Sequence, residues 1–128
     1  MLAEMNDRET GQATIELVLC LPFAILLIAF VIQVGLVGVE QIRLWHAARE
    51  AVRIASVDGD PEAIRAAAES SGLDDVGLTI DPPAPNRTQG GAVRVGLSHH
   101  PDTFVPFAGF LLSRITLRAD ATMRIEQP

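Results

Sequence analysis

Leu17-Val18-Leu19-Cys20-Leu21-Pro22-Phe23-Ala24-Ile25-Leu26-Leu27-Ile28-Ala29-Phe30-Val31-Ile32-Gln33-Val34-Gly35-Leu36-Val37-Gly38-Val39 is the stretch on which the fold turns. Of its 23 residues, 19 are hydrophobic, and the exceptions, Pro22, Gln33, Gly35 and Gly38, carry no charge. At about 1.5 Å per residue such a helix reaches about 35 Å, more than a hydrocarbon core of about 30 Å. The expectation is a membrane-spanning helix. The whole chain has 128 residues, is 48% hydrophobic and has a mean hydropathy of +0.28. The remainder of the chain after the run, Glu40 to Pro128, has room for one small domain and not two.

Charge narrows the function further. Ten basic residues, all Arg, face 16 acidic ones, for a net charge of -6. No basic block exists, which argues against a nucleic-acid partner and against a polybasic lipid patch. Cys20 is the single cysteine, so an intramolecular disulfide and a Cys-rich zinc site are excluded. A lipid-modified cysteine is set aside, because Leu17-Val18-Leu19 lacks small residues and the apolar run continues past Cys20. His99-His100 is the only histidine pair, and neighbouring strand residues point to opposite faces. Gly90-Gly91 and Gly35-x-x-Gly38 match no phosphate-cradling loop, and no nucleophile elbow is present. The expectation is a protein with no catalytic residue, no metal and no cofactor.

Upstream, Asp7-Arg8-Glu9-Thr10-Gly11 leads into Gln12-Ala13-Thr14-Ile15-Glu16 and then the run. A cleaved secretory signal would have a positive start, a shorter core and a small-x-small site. None of these is found. A plain signal anchor fits the length. A pilin-type segment fits the residues around Gly11, with Glu16 held at the membrane boundary. A carboxylate there is costly unless partnered, although an interfacial Glu facing headgroups is tolerable one turn from a helix end.

These residues resemble the prepilin peptidase site of type IV pilins, and more narrowly the TadE-like minor pilins of Tad (tight adherence, Flp-type) pili. The resemblance is carried by Gly11 five residues ahead of Glu16, by Leu21-Pro22 early in the apolar helix, and by Ala47-Ala48-Arg49-Glu50-Ala51-Val52-Arg53 after it. Ala121-Thr122-Met123-Arg124-Ile125-Glu126 is similar in character to the β-rich end of such chains. Leu17 stands where these segments often carry Phe. The resemblance implies a leader, residues 1–11, cut between Gly11 and Gln12. It implies pairing of Glu16 with the N-terminal amine of a neighbouring subunit. The implied partners are other pilin subunits, Tad pilus assembly proteins, the prepilin peptidase and membrane lipid. The implied location is the bacterial cytoplasmic membrane, single-pass, with the C-terminal domain outside or incorporated in a pilus. Counting Arg8 before the run against Arg43, Arg49 and Arg53 after it points the domain inward instead. The alternative is an uncleaved single-pass adaptor of another envelope complex.

The remaining pattern predicts an α+β, pilin-like architecture. One helix is expected over 12–57, with its membrane part at about 17–39, followed by a small α+β domain over 58–128. Pro22 is expected to kink the helix, since it lacks a donor and clashes with the preceding turn. Beyond Val39, Ile42, Trp45, Ala48, Val52 and Ala55 form a stripe with Arg43, Glu50 and Arg53 off it, so the stem should be amphipathic. Trp45 is expected to pack on the C-terminal domain. Asp60-Pro61 opens a second helix to Ser71, stopped at Gly72, with Ile64, Ala67 and Ala68 as its apolar face. Three alternating strands come next, through Val76–Ile80, Val93–Leu97 and Ile115–Ile125. Between the last two lies Phe104-Val105-Pro106-Phe107-Ala108-Gly109-Phe110-Leu111-Leu112. It is either buried under the sheet or exposed as a subunit or membrane contact, with Phe107 and Phe110 as the contact residues.

Overall fold

A computed structural model gives the fold of the chain. It describes the backbone of residues 2–57, 59–105, 109–110 and 114–126, and the side chains of that set from residue 11 onward, residue 84 excepted. Helix α1, Leu2–Val57, runs without interruption through Pro22. Helix α2, Pro61–Glu69, strand β1, Gly77–Asp81, strand β2, Ala92–His99, and strand β3, Leu117–Arg124, come after it in chain order. The strands form one antiparallel sheet in the order β1-β2-β3. This is the expected α+β architecture: a membrane-capable helix whose stem packs on a small antiparallel sheet.

Local chemistry sets the element ends. The Asp60 carboxylate accepts a hydrogen bond from the Glu62 amide at 3.1 Å, and Pro61 supplies a preset φ in the first turn of α2. The helix closes at Ser70, and Gly72 takes the left-handed conformation, φ 68°, that the turn needs. Strand β1 ends at Asp81, because Pro82 has no amide to donate to a ladder. At the sheet centre, Gly96 is opposite Thr79 on one side and Asp120 on the other. A Cβ there would lie 2.6 Å from Thr79 Oγ1 and 2.8 Å from Asp120 Oδ1, so only glycine fits without a shift. Arg94 donates to Asp120 at 3.0 Å on the same polar face.

The other face of the sheet makes the core. Val93, Val95 and Leu97 of β2 and Leu117 and Ala119 of β3 pack with Leu44, Ala47, Ala48, Ala51, Val52 and Ala55 of α1 and with Ile64, Ala67 and Ala68 of α2. Ala48, Val52 and Ala55 lie on the buried stripe as expected, but Ile42 is exposed and Trp45 is 44% exposed. The buried face is turned toward the alanines. Small side chains let the helix axis approach the sheet closely, whereas Ile42 is on the opposite side of the helix and Trp45 on its flank. Trp45 borders a shallow cleft beside β3 and lies under the Arg49 guanidinium, 6.0 Å from the ring centroid. Ile115 and Met123, expected on the inner face of the last strand, are also partly exposed: Ile115 precedes β3, and Met123 is on an edge strand of the three-stranded sheet, its sulfur 3.3 Å from the Ser56 hydroxyl of α1.

Polar contacts fasten the domain along α1. The Gln41 amide donates to the Arg118 carbonyl at 2.9 Å, and the Glu126 amide donates to the Ser56 carbonyl at 2.9 Å. The buried His99 has Nδ1 at 2.8 Å from the Asp74 carbonyl and Nε2 at 3.8 Å from Glu40 Oε2. On the solvent side, the hydrogen bond from Arg53 holds the Glu50 carboxyl below its usual range, and Glu50 in turn raises Arg53.

Candidate functional site: the apolar helix and its docked loop

From Gly11 to Ile28 every residue of α1 is exposed on all sides of the helix. A helix apolar all round has no solvent-facing stripe and needs lipid or neighbouring helices about it. Among the described residues one such helix is long and apolar enough to cross a membrane, as in a single-pass membrane protein. Cys20 is on this exposed surface.

The residues expected at the processing site lie together at its start. Gly11, Gln12 and Glu16 are all exposed. The Gln12 side-chain amide donates to Glu16 Oε1 at 3.4 Å, one helical turn along. The carboxylate at the mouth of the run therefore has a neutral donor within its own chain. Pro22 lies inside the helix a little further on.

Reading the sequence missed Gln33, which is 0% exposed in the C-terminal third of the apolar run. Its Nε2 donates to the Asp102 carbonyl at 2.8 Å, and its Oε1 accepts from the Phe104 amide at 3.3 Å. Both ends of one side-chain amide thus hold the loop after β2. The available signal was the one hydrogen-bonding side chain in 23 otherwise apolar, Gly or Pro residues, where an unpartnered amide would be costly. Ala29, Gln33, Val37, Glu40 and Leu44 are the half-buried or buried positions on this side of the helix. The domain therefore reaches down α1 well into the apolar segment.

The loop itself resolves the two readings of its aromatic residues in part. Val105 is buried, while Phe104 is 60% and Phe110 76% exposed. The Arg114 guanidinium lies over the Phe110 ring, 5.9 Å from its centroid. Phe107 lies outside the described residues. Gly35 and Gly38 face open space. His100 is exposed while His99 is buried, so the pair is split between faces. Among the described residues no group of three or more His, Cys, Asp or Glu side chains is placed to hold a metal ion.

No curated protein and no solved structure matches the chain. A family model described as TadE-like protein matches residues 11–53. That range begins at the glycine before Gln12 and ends at Arg53, the stretch whose motifs carry the resemblance. The match covers about a third of the chain and makes this part of α1 similar to TadE-like proteins.

Proposed function

We propose that the chain is a minor pilin or pilin-like subunit of Tad-type pilus assembly, processed after Gly11 and assembled through α1. One observation carries the reading. Gly11 stands five residues ahead of Glu16 within α1, at the mouth of a stretch, residues 11–28, that is exposed on every side and lies within the TadE-like match. Cleavage would leave Gln12 with a free amine one turn from the Glu16 carboxylate. In a bundle of such helices, that carboxylate pairs with the amine of a neighbouring copy, and two opposite charges offset each other's desolvation. Pro22 loosens the helix locally, so that the stem adapts to its neighbours. The partners are other pilin subunits, Tad assembly proteins, the prepilin peptidase and lipid. The domain lies outside the bacterial cytoplasmic membrane.

The test is the mass of the N-terminus of the chain isolated from its native host. A chain beginning at Gln12 is expected. An intact leader in a host with an active prepilin peptidase would overturn the reading and leave an uncleaved envelope adaptor.

A further inference from the structure

We propose that the described residues 102–105 after β2, together with Phe110, form a membrane-interface foot. Gln33 locks it against α1, and it sets the depth at which α1 sits in the bilayer. The inference rests on α1 crossing a membrane and is independent of cleavage after Gly11.

The occupant of the exposed aromatic surface is set by its place on the helix. The backbone of Phe104 is bonded directly to Gln33, inside the apolar run, so its ring stands at that height on α1. Asp102 is exposed at the same level. A carboxylate cannot lie in hydrocarbon without a large cost, so the hydrocarbon must end near Gln33 on the domain side. Exposed Phe104, and Phe110 with Arg114 over its ring, combine apolar rings that an interfacial segment buries at the headgroup–acyl boundary with a cation that reaches the headgroups. Backbone polar groups at that depth have to be satisfied by protein, and the Gln33 amide satisfies the Asp102 carbonyl and the Phe104 amide at once.

The consequence for α1 is a shift in register. A hydrocarbon core needs about 20 helical residues. Counted down from Gln33, these end near Thr14 rather than Leu17. Val34–Val39 then occupy the headgroup layer, and Glu40 begins the aqueous part. Glu16 then stands within one turn of the opposite edge of the hydrocarbon, close enough for its carboxylate to reach the headgroups.

The experiment uses the full chain with Trp45→Phe, so that one introduced Trp reports. Phe104→Trp and Phe110→Trp are placed singly, with Phe23→Trp as the mid-helix reference, at one chain per lipid nanodisc so that no second copy can cover the loop. Quenching is read with lipids brominated near the carbonyl end or near the methyl end of the acyl chain, and with aqueous iodide. Phe104→Trp and Phe110→Trp should be quenched at least about twofold more by the shallow bromines than by the deep ones, as interfacial aromatic residues are. Phe23→Trp should show the opposite preference. Adding Gln33→Leu should weaken the shallow quenching of Phe104→Trp although it makes the helix more apolar. Iodide quenching of both loop positions without bromolipid quenching would overturn the foot while leaving α1 in the membrane. A Phe23→Trp that escapes both bromolipids would overturn the spanning helix and the foot with it. Unchanged quenching in Gln33→Leu would overturn the lock.

Discussion

At the scale of single residues, the polar side chains on α1 explain most of what positions this protein. Gln12 has two fates. Intact, its side-chain amide donates to Glu16. As a free N-terminus it can cyclise, with the amine attacking the side-chain carbonyl and ammonia leaving. The cyclised residue loses both the charge and the Nε2 donor, so the N-terminal mass also reports which partner Glu16 has. A second prediction concerns His99. Glu40 Oε2 is buried, faces His99 Nε2, and has no hydrogen-bond partner among the described residues. His99→Ala removes the bond to the Asp74 carbonyl and leaves Glu40 without its neighbour. A loss of about 2–4 kcal/mol in unfolding free energy is expected, measured by denaturation in detergent. His100→Ala, on the exposed side of the strand end, should change stability little.

At the scale of elements, α1 meets the sheet through its small residues. Ala47, Ala48, Ala51 and Ala55 are buried, while Ile42 on the other side is exposed. Ala51→Leu should therefore destabilise the domain by about 1–3 kcal/mol through overpacking, and Ile42→Ala should leave its melting temperature nearly unchanged. The reverse ranking would mean that the buried stripe is the one with Ile42 and Trp45. The Glu50–Arg53 pair belongs to the solvent face of the same helix. Because Arg53 lowers the Glu50 carboxyl, what the pair contributes is complete above the ordinary carboxylate range and is lost as pH falls through the lowered value. Both side chains are exposed, so screening by water keeps that contribution small.

At the scale of the whole molecule, the chain divides into a segment that needs an apolar surround and a domain that needs water. Glu16 stands at the mouth of the apolar segment, five residues after Gly11. Glu16→Ala should leave membrane insertion intact, since it only lengthens the apolar run, and should reduce incorporation into pili. Both are measured together by fractionating membranes and sheared surface filaments from the native host. Wild-type incorporation in the variant would remove the carboxylate from the assembly step.

The membrane helix, its continuation to the Ala47–Arg53 region, the capped second helix and the three alternating strands were all legible in the residue pattern. Each depends on local terms: hydropathy over about 20 residues, a preset proline φ, a capping carboxylate, a period of two. The TadE-like resemblance was legible for the same reason, since its motifs lie within one continuous helix. The face of α1 that packs was legible only in part: Ala48, Val52 and Ala55 lie on it as read, and Ile42 and Trp45 do not. Periodicity offers several stripes on a helix rich in both alanine and large apolar residues, and only the fit to the sheet selects the alanines. The role of Gln33 was hidden for a related reason. Its two hydrogen-bond partners are 69 and 71 residues away along the chain, and only the path of the loop after β2 brings them to it.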